Sequence, residues 1–125
     1  MATLELTADN FNDTVAHHPI VFLDFWAAWC GPCRNFAPTY EAAAEANPDI
    51  VFGKVDTEAQ QDLAAAFQIR SIPTIAVIRE GVMVFRESGA LPANALNQVI
   101  EGVRDLDMDQ VRAEIAKEQA DAQQG

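Results

Sequence analysis

The run Ile20-Val21-Phe22-Leu23-Asp24-Phe25-Trp26 puts large side chains on both faces of any strand it forms. Such a strand must be covered on both sides, which is the environment of a central strand in a sheet flanked by helices. Ile50 to Asp56 and Thr74 to Arg79 are similarly short, rich in β-branched residues, and read as strands of the same sheet. Glu80-Gly81 reads as a tight turn into Val82 to Glu87, which predicts an antiparallel hairpin. Thr3 to Leu6 suits one more strand at an edge.

Helical patterns fill the intervals. Asp9 to Ala16 carries Phe11 and Val15 four residues apart, and the Ala- and Glu-rich stretch from Pro32 to Asn47 stops before Pro48. Thr57 followed by Gln60 reads as a capping box ahead of Leu63 and Phe67. Pro92 stands near a helix start, and Leu96, Val99, Ile100 and Val103 make one apolar stripe. The order predicts an α/β fold: a central mixed sheet of about five strands flanked by about four helices, with no internal repeat.

Charge limits the partners. Eight Lys and Arg against 19 Asp and Glu leave a net charge of −11, which nucleic acid and anionic membranes would repel. Half of the 125 residues are hydrophobic, so a single domain with its own core is expected rather than a disordered chain. No apolar run approaches the ~20 residues of a spanning helix. Met-Ala-Thr-Leu-Glu at the start offers neither the basic residue nor the apolar stretch of a secretory signal, so a cytoplasmic location is expected.

Composition changes near Asp105. Residues 1–104 carry the strand and helix patterns, whereas residues 105–125 are rich in Ala, Gln and acid and are expected to form a helical extension. Met108, Val111 and Ile115 share one helical face, which allows partial docking; beyond Ile115 the chain is expected to fray. A solvated extension and a partner-binding tail are both open.

Both cysteines lie in Trp29-Cys30-Gly31-Pro32-Cys33, where the buried strand hands over to a helix. Their spacing brings the sulfurs together, with Cys30 at the helix N-terminus and Cys33 one turn inside. Unpaired N–H groups and the positive end of the helix dipole favour a thiolate at Cys30 and should lower its pKa. An exposed, activated Cys30 beside a deeper Cys33 suits thiol–disulfide exchange. A structural disulfide is the alternative, but so short a loop constrains the unfolded chain little. Half a zinc site is the other; there is no second Cys pair, and the adjacent His17 and His18 lack ligand spacing. No metal is expected.

Asp24-Phe25-Trp26-Ala27-Ala28-Trp29-Cys30-Gly31-Pro32-Cys33, with Pro38 and then Ser71-Ile72-Pro73-Thr74, resembles the thioredoxin family. The resemblance runs through Glu80-Gly81 and Gly89-Ala90 to about Arg104, about four-fifths of the chain. It implies a thioredoxin-like fold and a protein-disulfide reductase working by dithiol–disulfide exchange. In that reading Cys30 attacks a substrate disulfide, Cys33 resolves the mixed disulfide, and the pair ends as a Cys30–Cys33 disulfide. Gly31 and Pro32 would tune the potential, and Gly-Pro resembles the reducing members. The resemblance further implies that no cofactor is bound, that NADPH acts indirectly through a thioredoxin reductase, and that this reductase and disulfide-containing client proteins are the partners of a monomer.

Asp24 interrupts an apolar run on the face of Phe22 and Trp26. A buried carboxylate without a strong partner has a raised pKa; the resemblance implies that it takes the proton of Cys33 through water. Lys54, on the neighbouring strand, matches a family position coupled to this acid. A strand-end carboxylate facing solvent and an ordinary surface lysine are the plainer alternatives. The resemblance also implies a cis Ile72–Pro73 bond facing the cysteines. Ile72 would offer backbone hydrogen bonds to an extended substrate. Trp29, Ile72, Pro73, Gly89 and Ala90 would form an apolar contact surface, although Gly89 also suits a simple turn. Pro38, inside a helix, is structural. Arg34 stands where many family members have Lys, which keeps the charge. An oxidase or isomerase, and a binding module with incidental thiols, are the competing functions.

Overall fold

A computed structural model describes residues 2–124; Met1 and Gly125, the outermost residues of the two expected segments, lie outside the described residues. The described elements run β1 (Leu4–Glu5), α1 (Phe11–His17), β2 (Ile20–Trp26), α2 (Gly31–Ala46), β3 (Val51–Asp56), α3 (Gln61–Ala66), β4 (Thr74–Arg79), β5 (Val82–Ser88), α4 (Ala93–Arg104) and α5 (Met108–Gln124). The strands form one mixed sheet in the order β1-β3-β2-β4-β5. Pairing is parallel for β1 with β3 and β3 with β2, and antiparallel for β2 with β4 and β4 with β5.

The two-sided character of β2 explains its central place. Phe22 packs with Phe36 and Tyr40 of α2, Phe52, Ile75, and Leu96 and Ile100 of α4. Val21, Leu23 and Phe25 point the other way, into a cluster with Leu6, Val55 and Ala76 that Phe11, Leu63 and Phe67 cover. Helices α2 and α4 thus lie on one face of the sheet, α1 and α3 on the other. Each buried Phe or Leu contributes about 1.5–3 kcal/mol relative to exposure, so neither face could be left bare. Between β4 and β5, Glu80 (φ 52°) and Gly81 (φ 80°) both adopt positive φ. That is the turn whose twist matches a two-residue hairpin.

Two expectations fail locally. The capping box does not form: α3 starts at Gln61, Thr57 Oγ1 donates instead to the Trp26 carbonyl (3.0 Å), and Gln60 Oε1 accepts from the Ala8 N–H (3.0 Å). The Thr57 N–H also donates to the Trp26 carbonyl (2.9 Å), which holds Thr57 against the end of β2 and turns its hydroxyl to the same acceptor instead of to the helix start. Fraying after Ile115 is also not observed, since α5 stays helical to Gln124. Met108 is buried, Val111 and Ile115 are half-buried, and the described side chains beyond Ile115 are exposed. Arg79, at the end of β4, anchors this region: Nη1 donates to the carbonyls of Val103 (2.7 Å) and Leu106 (2.7 Å), where α4 ends. Arg112 of α5 then bridges Glu80 and Asp109, each at 2.8 Å.

Candidate functional site

Strand β2 delivers the chain into the site at the end of the sheet opposite Arg79. Cys30 is the N-cap of α2, with Gly31 and Pro32 as its first residues; a proline there gives up an N–H that would lack a helical partner anyway. Cys30 and Cys33 are disulfide-bonded, with Cα atoms 5.2 Å apart. The Cys33 N–H donates to Cys30 Sγ (3.2 Å), so the helix start aims a donor at the sulfur that carries charge once the bond is reduced. The expected contrast in exposure between the cysteines is absent: each is 4% exposed, because Ala27, Trp26 and Ile72 pack around both. What separates them is place on the helix.

Asp24 lies beneath this pair on the α2 side of the sheet, 1% exposed, and its Oδ1 has no hydrogen-bond partner among the described residues. Burial pushes its carboxyl pKa up from 3.8 to about 7, with the Lys54 charge pulling the other way. The solvent-facing alternative for Asp24 is therefore excluded. Lys54 stands directly opposite on β3, half-buried, with Nζ 4.9 Å from the centre of the Trp26 ring. A cavity of about 650 Å³ lined by Trp26, Arg34, Pro38, Lys54 and Asp56 opens on this side. Tyr40, fully buried in α2, donates from its hydroxyl to the Gly53 carbonyl (2.8 Å), and burial with the nearby Asp24 charge holds its pKa well above the ordinary value.

The rim assembles from three segments. Trp29 is 67% exposed. The Ile72 carbonyl lies 3.8 Å from Cys30 Sγ, and the Ile72–Pro73 bond is cis. The Pro73 carbonyl accepts from the Gly89 N–H (2.8 Å), with Gly89 at φ 107°, a conformation that favours glycine. Gly89 and Ala90 are exposed and Ile72 is half-buried, but Pro73 is buried and offers little surface. Glu58 carries no signal in the sequence, and its carboxylate accepts from Trp29 Nε1 at 2.6 Å. Arg34 projects from the first turn of α2 and donates to the Ala28 carbonyl (2.8 Å).

A thioredoxin family model matches residues 2–102. The chain belongs to the thioredoxin family. It is 60% identical over 121 residues to the putative thioredoxin 2 of Streptomyces coelicolor, covering 97% of this chain and 90% of that one. Among solved structures, a mutant thioredoxin from Halobacterium salinarum superposes with a TM-score of 0.78 at 31% identity, covering 83% of this chain and 92% of that one. A thioredoxin f2 solved in complex with ferredoxin:thioredoxin reductase gives a TM-score of 0.75 at 33% identity, covering 82% and 96%. Like other thioredoxins, this chain is a thiol–disulfide oxidoreductase, and Cys30 and Cys33 are its redox-active pair. Among the described residues no group of three His, Cys, Asp or Glu is placed to hold a metal, and no helix is long and apolar enough to cross a membrane.

Proposed function

We propose that this thioredoxin-family protein runs in the reducing direction in the cytoplasm, as a monomer that a thioredoxin reductase recharges with electrons from NADPH. The reduced Cys30 thiolate attacks one sulfur of a client disulfide; the client S–S bond breaks and one client thiolate leaves. Cys33 then loses its proton to the Asp24 carboxylate through water, and its sulfur attacks Cys30 Sγ. The Cys30–Cys33 bond forms, the second client sulfur leaves as a thiolate, and two electrons have passed to the client. Protonated Asp24 returns its proton as the client thiolate departs.

One observation carries this order of events: the Cys33 N–H points at Cys30 Sγ at the start of α2, so charge is stabilised on Cys30. The buried, unpartnered Asp24 supports its role as proton acceptor, and Lys54 opposite it tunes that acid. Gly31 and Pro32, between the sulfurs, set the potential. Trp29, Ile72, Pro73, Gly89 and Ala90 form the client-contacting rim, in which the Pro73 carbonyl holds Gly89 in place. A reductase as partner is supported by the thioredoxin f2 solved with ferredoxin:thioredoxin reductase; NADPH as the electron source is what the family resemblance implies. Residues 1–104 make up the redox unit and residues 105–125 an acidic helical extension, a division supported by the docking of α5 at the far end of the sheet.

The reduction potential of the pair, read from Trp26 and Trp29 fluorescence in defined thiol buffers, tests the direction. Thioredoxins have a potential of about −270 mV, a value carried over from the family, and this chain is expected near it. A value near −180 mV, about 4 kcal/mol more oxidising, would make it an oxidase or isomerase and overturn the proposal.

A further inference from the structure

The chain has six arginines, and five are committed. Arg79 donates to the carbonyls where α4 ends, Arg104 pairs with Asp49, and Arg112 pairs with Glu80 and Asp109. Arg34 donates to Ala28, and Arg86 to the carbonyls of Phe67 and Gln68. Arg70 alone is exposed with no hydrogen bond or ion pair among the described residues. In a chain with 19 acidic residues, a guanidinium without a carboxylate needs a reason.

Its location supplies one. Arg70 lines a groove of about 350 Å³ that also includes Trp29, Thr57, Gln61, Ile69 and Ile72. Trp29 directly precedes Cys30 in the chain and the Ile72 carbonyl lies 3.8 Å from Cys30 Sγ, so one end of the groove lies beside the disulfide. Its other lining residues are apolar or neutral, which leaves Arg70 as its one charge. Glu58 is outside the lining, and its carboxylate already holds the Trp29 indole. A client segment in this groove meets an apolar wall and then a free guanidinium, whose planar fork matches a carboxylate.

We propose that Arg70 is a specificity-determining residue that reads an acidic side chain flanking the client cysteine, so that the favoured clients are disulfides bordered by Asp or Glu. This rests on the reductase reading and names its substrate class. Arg70 is two residues from Ile72, at most about 7 Å along the chain. The carboxylate it meets therefore lies within about three residues of the reacting cysteine. The preference is local and opposes the net charge of −11, which repels acidic clients at long range.

The test uses disulfide-linked peptide dimers that carry Gln at the three positions on each side of the cysteine, with Glu introduced one position at a time. The full chain, reduced beforehand, is mixed with each, and the release of peptide thiol is timed. At one or more positions the Glu peptide is expected to react about three- to fivefold faster than the all-Gln parent, the worth of a good exposed ion pair. Arg70→Gln removes that difference, Arg70→Glu makes the Glu peptide the slower one, and all three proteins reduce the parent equally fast. No preference at any position overturns the proposal. So does a preference that Arg70→Gln retains, or a variant that slows the parent as well. If the unmodified protein fails to reduce even the parent, the reductase reading itself falls, and this proposal with it.

Discussion

The two ends of the sheet treat buried charge in opposite ways. At the disulfide end, Asp24 is buried in β2 with an oxygen that no donor reaches among the described residues. At the other end, the half-buried Arg79 guanidinium meets the carbonyls of Val103 and Leu106 and the Glu80 carboxylate. Satisfied polar groups of the second kind hold elements together; an unsatisfied one of the first kind costs stability and persists where it has chemistry to do. The contrast separates an end that reacts from an end that fastens.

Replacing Asp24 by Asn should give the largest effect on stability. The carboxyl binds its proton more tightly in the folded chain (pKa about 7) than in the unfolded one (about 3.8), so its ionisation destabilises the fold. The native protein should lose stability as pH rises from about 4 to about 7 and level off above. Asp24→Asn should lack that loss and be more stable at pH 8 by up to about 4 kcal/mol. Urea unfolding at a series of pH values checks this. The same variant should reduce disulfides about tenfold or more slowly at neutral pH, since a positioned base has gone.

Arg79→Met should act in the reverse sense. Losing a charged donor to two carbonyls should cost about 1–3 kcal/mol in urea unfolding and leave disulfide reduction unchanged. Amide hydrogen exchange should quicken from Val103 into the first turns of α5. If Arg79→Met changed the reduction rate, the separation between the two ends would be lost. The smallest effect is expected for Arg112→Ala, whose ion pairs with Glu80 and Asp109 are solvent-exposed. Its unfolding midpoint should match the parent's, and a clear drop would place more of the fastening in α5 than in Arg79.

Much of this was legible in the sequence wherever the signal was local. An apolar run with large residues on both faces can only be a central strand, and β2 is one. An acid inside that run stood out for the same reason, and two cysteines one helical turn apart at a strand-to-helix junction defined the site. The turn at Glu80-Gly81 was readable because so few residues tolerate its backbone. What escaped depended on contacts distant in sequence. Glu58 meets Trp29 across 29 residues, and Arg79 meets Leu106 across 27, with no periodicity to link them. The Thr57 cap failed because a carbonyl 31 residues earlier claimed the hydroxyl. The even burial of Cys30 and Cys33 depends on how Ile72 folds back over them, which helix position alone could not reveal.

The claim that the disulfide end keeps an unpartnered acid for proton transfer is tested most directly by titrating Asp24 itself, through the carboxyl carbon resonance of the labelled protein. An apparent pKa of about 7 is expected. A midpoint near the ordinary 3.8 would mean that the carboxylate is solvated or paired, and would contradict both its burial and its role.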